Sequence, residues 1–290
     1  VLAKQGQLAQ LVKRLLKKGF DVYISADHGN TPCTGMGKLM KTGVEVETKS
    51  RRMIVLKDFA DKLAEWWYHG YRAVDNKVFD IGVQTSQALM AYASGRPAEE
   101  CGMLNPNGKG NGALMRVLPL ALWHSGTDEE LILDSHRQCL ITHGAVTNQV
   151  CCAFYCLVAR RLLAGSQPKR AIREAAQILQ EFYQADEALW SEYLYDLEKI
   201  LQHEPWDGHG SGYVVDALVS AFMIMERAQN YQETIRQAIA LGDDTDTTAC
   251  IVGGLAGIYG GYSGIPAEWI EGLRAKESIE DAVNALCQNR

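Results

Sequence analysis

The chain has 290 residues, a net charge of -6 and 47% apolar residues. That length provides for one large or two ordinary domains, and the apolar fraction supports a sizeable core. The acidic balance excludes a broad basic surface for nucleic acid, and no 18-residue apolar run is present, so neither a nucleic-acid partner nor a membrane span is expected.

In chain order, Leu8, Leu11, Val12, Leu15 and Leu16 form one face of a helix, which Lys17-Lys18-Gly19 ends. Phe20–Ala26 alternates apolar and polar residues as a strand does, and Asp27-His28-Gly29-Asn30 follows it. Val44–Glu47 and Met53–Leu56 read as two further strands around the basic turn Lys49–Arg52. Residues 1–57 are therefore expected to form a short α/β fragment, and residues 58–290 a separate helical domain.

From Phe59 onward the pattern is helical. Phe59, Leu63, Trp66 and Trp67 make one apolar stripe; Val146, Val150, Phe154, Leu157 and Val158 make another, closed by Gly165. Ala171–Tyr183 and Val214–Met225 read likewise, with Gly- and Asn-rich loops at 105–112 and 207–212. The fold class is mainly α: an all-α domain preceded by the α/β fragment. Of the eight Cys, Cys151, Cys152 and Cys156 lie in an apolar helical pattern, and no CxxC pair occurs. Buried thiols in a reducing compartment fit this better than disulfides or zinc. With no signal-peptide pattern, a cytoplasmic location is expected.

The densest polar motif is Gly242-Asp243-Asp244-Thr245-Asp246-Thr247-Thr248, running into the small-residue segment Ala249–Gly261. Oxygen donors at this density suit a hard divalent cation. Asp and Thr at a helix start also serve as N-caps, favoured by the helix dipole. One Asp needs no more than that, but three within four positions repel one another unless a cation lies between them. The Gly at position 6 and Glu at position 12 of an EF-hand loop are missing.

Four other loops carry polar motifs: Phe79-Asp80-Ile81-Gly82 leading to Thr85-Ser86-Gln87, Gly110-Asn111-Gly112-Ala113-Leu114-Met115-Arg116, Thr142-His143-Gly144 and Gly210-Ser211-Gly212-Tyr213. Singly, each reads as a turn or a helix cap. In this order, with Trp67-Tyr68, Gly70-Tyr71 and the closing Ile265-Pro266 and Trp269, they resemble the ADP-ribosylglycohydrolase family over roughly residues 60–275. The resemblance implies an all-α fold with a two-metal Mg²⁺ or Mn²⁺ centre at the base of a cleft. Carried over by position, Asp244, Asp246 and Thr247 match the family's C-terminal metal ligands, with Asp244 and Asp246 the catalytic carboxylates. Asn111, Gly112, Met115 and Arg116 match the loop lining the ADP-ribose cleft, and His143 and Tyr213 match positions near the nucleotide end. Arg116 has two open roles, ligand contact or pairing with a carboxylate across the cleft. The implied reaction is hydrolysis of the bond from the ribose anomeric carbon to an acceptor, on an ADP-ribosylated protein or a small ADP-ribose derivative.

The family's N-terminal Thr/Ser-Asp-Asp-Thr segment has no counterpart upstream of Trp67 in these residues. The expectation is an incomplete metal site and impaired turnover, with an ADP-ribose-binding module lacking catalysis as the alternative. Gly19–Asn30 and Val44–Lys49 instead resemble the C-terminal part of a PglZ domain, of the alkaline-phosphatase superfamily. The chain therefore reads as a fusion joined near Leu56–Glu65.

Overall fold

The structure, a computed structural model, describes residues 56–104, 108–277 and 280. The helix and strands expected before residue 56, with the PglZ-like motif and its Asp27-His28 pair, lie outside the described residues. Leu56, expected to close a strand, instead opens helix α1 (Leu56–His69). Its Leu63 and Trp66 are buried along one face, one turn apart, so the apolar stripe continues the helix back to Leu56.

The described residues form helices and short 3-10 turns, with one isolated bridge and no strand. After α1 come α2 (Val83–Ala93), α3 (Leu118–Trp123), α4 (Asp128–Leu140) and α5 (Val146–Leu163). They are followed by α6 (Pro168–Gln184), α7 (Glu187–Leu201), α8 (Val214–Arg227), α9 (Tyr231–Ala240), α10 (Thr245–Gly260) and α11 (Ala267–Glu271). The all-α expectation for this region holds. No described helix is long and apolar enough to cross a membrane.

Helix α5 is apolar nearly all round, a pattern that places a helix at the centre of a fold. It packs against α3, α4, α6, α7, α8 and α10. Cys151, Cys152 and Cys156 are fully buried in it as free thiols. Helix α4 starts with a capping box: Thr127 accepts from the Glu130 backbone, and the Glu130 carboxylate accepts from the Thr127 N–H. Helix α10 lies close to α3 and α5 because its residues are small. A Cβ on Gly254 would come within 2.5 Å of Leu118 and 2.9 Å of the Tyr155 hydroxyl. That hydroxyl donates to the Ile251 carbonyl at 2.7 Å, so α5 and α10 are joined by a buried hydrogen bond as well as by packing.

Two apolar clusters result among the described residues. The large one spans α3 to α10 and contains Phe222 in edge-on contact with both Phe154 and Trp206. The small one consists of Ala60, Leu63, Leu89, Ala98 and Ile141, with Phe59, Trp67, Ile81 and Tyr92 against it. It ties α1 and α2 to the end of α4, and the cleft opens between the two.

Candidate ligand cleft

The acidic motif folds into the first turn of α10. Gly242 (φ 78°) and Asp243 (φ 56°) both take left-handed backbone, which turns the chain sharply before the helix. For Asp243 this conformation is strained, as is common beside functional sites. Asp244 is then the N-cap, and Asp246 and Thr247 lie in the first turn. The Asp244 carboxylate makes no capping bond to its own helix. It accepts instead from the Asn111 side-chain amide at 2.8 Å, across 133 positions of sequence. The capping reading therefore fails for this side chain, which faces the opposing loop.

That loop is held on several sides. The Asn111 N–H donates to the Gly212 carbonyl (3.0 Å) and the Val214 N–H to the Lys109 carbonyl (2.9 Å), forming the Gly110–Tyr213 bridge. Asn148 on α5 donates to the Gly110 carbonyl at 2.6 Å. The partner loop is fixed by Asp216, which accepts from the His209 and Ser211 N–H groups (2.9 and 2.6 Å). The Asp244 N–H donates to the Gly210 carbonyl at 3.0 Å. Three loops thus meet at one place.

They enclose a cavity of about 480 Å³, a size suited to a small-molecule ligand. Asp244, Asp246, Thr247, Gly110, Asn111, Gly112, Met115, Arg116 and His143 line one side. Leu63 and Trp66 of α1 and the Phe79–Thr85 segment line the other. Of the site residues carried over from the family resemblance, all line this cavity except Tyr213, which stands in the bridge and is 44% exposed. Asp243 is exposed and also lies outside the lining. Asp80 lines the cavity, whereas the N-cap of α2 is Gly82.

His143 is buried, with Nδ1 2.8 Å from the Thr142 hydroxyl. Burial, with the nearby Arg116 charge adding to it, pushes its pKa down to about 3, so the ring is neutral at physiological pH. A Cβ on Gly112 would come within 2.9 Å of this ring, so only glycine fits there without displacing the histidine. Arg116 donates to the Gln138 side chain (3.3 Å) and backbone carbonyl (3.1 Å) and lies over the Phe59 ring. These contacts fix the side chain where it lines the cavity.

The donors on α10 are hard oxygens of the type Mg²⁺ or Mn²⁺ prefers. Among the described residues, however, no group of three or more His, Cys, Asp or Glu is placed to hold a metal ion. The residues described here do not complete such a site.

Sequence reasoning missed Gln84, Asn148 and Asp216, which hold the loops. Each is a single polar residue in or beside a helix, with nothing in its spacing to set it apart from a solvated position.

Over the described residues, fold and site together define an all-helical domain with an acidic, glycine-lined cleft. The ADP-ribosylglycohydrolase family model matches residues 34–290, and the chain belongs to that family. The match begins upstream of the boundary expected near residue 57. The chain is 28% identical over 228 residues to "ADP-ribosylarginine hydrolase Tri1" of Serratia proteamaculans (strain 568), covering 79% of this chain and 60% of that protein. It is 27% identical over 179 residues to "ADP-ribosyl-[dinitrogen reductase] glycohydrolase" of Rhodospirillum rubrum, covering 61% of this chain and 55% of that protein. The chain thus spans about three fifths of the length of the curated relatives it matches. A solved structure titled "ADP-ribosylglycohydrolase-related protein complex" superposes with a TM-score of 0.60 at 28% identity, over 80% of this chain and 73% of that one.

Proposed function

We propose that this chain hydrolyses the glycosidic bond between ADP-ribose and a protein side chain or small acceptor. The observation that carries the reading is the Asn111–Asp244 hydrogen bond. It brings the acidic start of α10 and the Gly-Asn-Gly loop onto one cavity, an arrangement that supports a ribose bound between carboxylates and a glycine-rich loop. Relatives named for ADP-ribosylarginine point to an arginine guanidinium as the acceptor.

In this reaction the bond from the anomeric carbon to the acceptor nitrogen breaks, and a water oxygen takes its place. One water proton goes to the departing nitrogen. Positive charge grows on the sugar ring as the bond stretches, and the Asp244 and Asp246 carboxylates stabilise it. Gly110 and Gly112 let the loop backbone approach the ligand closely, and Arg116 offers a positive charge to the diphosphate. Mg²⁺ or Mn²⁺ belongs to this proposal, with Asp244, Asp246 and Thr247 as its ligands. The described residues alone do not complete that site.

The test is release of ADP-ribose from an ADP-ribosylated arginine substrate with magnesium or manganese supplied. Product is expected from the wild-type chain. Asp246→Ala should lower the rate by about a hundredfold or more, the scale of losing one transition-state stabiliser. Wild-type turnover in that variant removes the mechanism, and no heat of Mg²⁺ or Mn²⁺ binding at millimolar metal removes the metal.

The donor set among the described residues, which alone does not complete a metal site, supports a second reading, a module that binds ADP-ribose or a related nucleotide with impaired or no turnover. A rise in melting temperature with ADP-ribose, without product release, selects it. The PglZ-like character of residues 1–57, and their fusion to the helical domain, remain part of the proposal.

A further inference from the structure

We propose that Gln84 is a positioning residue that latches the two walls of the cleft together and holds the Gly-Asn-Gly loop in its ligand-ready form. Gln84 sits in the first turn of α2, on the wall opposite the acidic turn. Its side-chain N–H donates to the Gly108 carbonyl at 2.7 Å, and its side-chain oxygen accepts from the Gly110 N–H at 2.7 Å. A carbonyl only accepts and an N–H only donates, so these partners fix the orientation of the amide. One side chain thereby pairs with two backbone groups of the loop, much as a neighbouring strand does.

The other restraints on the loop come from α5, the 210–214 segment and the start of α10, through Asn148, Gly212, Val214 and Asp244. Gln84 supplies the restraint from the α2 wall. The position next to its anchor is Asn111, whose side chain reaches Asp244. Residue 110 has to be small here, since a Cβ would come within 2.6 Å of the Gln84 oxygen. Loss of the latch frees the loop on its open side, and Asn111 then has to be reordered when ligand binds.

The inference rests on the ADP-ribose reading for its ligand but not for its geometry. Gln84→Met keeps the length of the side chain and removes both hydrogen bonds. Gln84→Asn keeps the amide but is one methylene too short to span both partners. Two quantities are measured in the presence of magnesium: ADP-ribose affinity by calorimetry, and hydrogen exchange of the peptide covering residues 108–116. Both variants are expected to keep the wild-type melting temperature within a few degrees. Their affinity should fall about tenfold, the scale of losing two net hydrogen bonds, and amide exchange should quicken in that peptide alone. Where turnover is measurable, KM should rise more than kcat falls. Wild-type affinity and wild-type exchange in both variants overturn the latch. If the wild-type chain binds no ADP-ribose, the functional reading falls instead, and the exchange of residues 108–116 alone decides the latch.

Discussion

The bundle around α5 and the α1–α2 pair across the cleft are built to different depths. The bundle surrounds one helix with six others and fills the space with aromatic rings from three of its segments. Among the described residues, the cluster beneath the α1–α2 wall contains only five buried side chains, including Leu63, Leu89 and Ile141. It reaches the floor of the cleft through polar contacts such as those of Gln84 and through Arg116 over Phe59. A rigid floor carries the acidic turn, and a lighter wall closes over it. Fixing charge on the well-packed side keeps its geometry constant, while ligand-shaped adjustment is left to the thinner side.

The sharpest way to break this contrast is to weaken each side in turn. Phe154→Ala, in the centre of the bundle, should cost about 3–5 kcal/mol of stability. Urea unfolding should then show loss of the whole cooperative transition at lower denaturant, with cleft and core affected alike. Leu89→Ala, in the wall, should cost less, about 2–4 kcal/mol. Its ADP-ribose affinity should fall out of proportion to its stability, because the wall loosens before the bundle does. Equal loss of affinity per unit of stability in the two variants would refute the distinction.

Acid gives a smaller, graded test. His143 beside the cleft and His136 inside the bundle are both buried, and desolvation is the leading cause that lowers each pKa to about 3. Between about pH 6.5 and pH 3 the unfolded chain binds a proton at each of these positions and the folded chain does not. Stability from these two groups is complete above pH 6.5. It declines as the pH falls, by about 1.4 kcal/mol per pH unit for each histidine. Chemical denaturation at pH 7 and pH 5 should show the drop, and His136→Phe should reduce it.

Much of the helical domain was legible because burial leaves periodic traces. The stripe from Val146 to Val158 and the one from Phe59 to Trp67 both became helices, the first buried all round and the second along one face. The candidate site was legible where chemistry is concentrated, at Asp244, Asp246 and the Gly110–Arg116 run, all of which line one cavity except Ala113 and Leu114 behind it. Tyr213 stands beside the cavity rather than in its lining, and its role in the bridge is made by backbone atoms that its side-chain type does not announce. Gln84 was illegible for a related reason. Its partners are main-chain groups 24 and 26 positions away, which no local pattern encodes.

The pairing of Gly110 with Tyr213 has one consequence for how such a protein can change. It splices segments far apart in the chain into a single mechanical piece, to which the start of α10 is also bonded. An insertion in any one of these loops shifts the register of the other two. New specificity therefore arises more readily by exchanging side chains on the opposite lip, at Phe79 or Val83, than by remodelling the loops themselves.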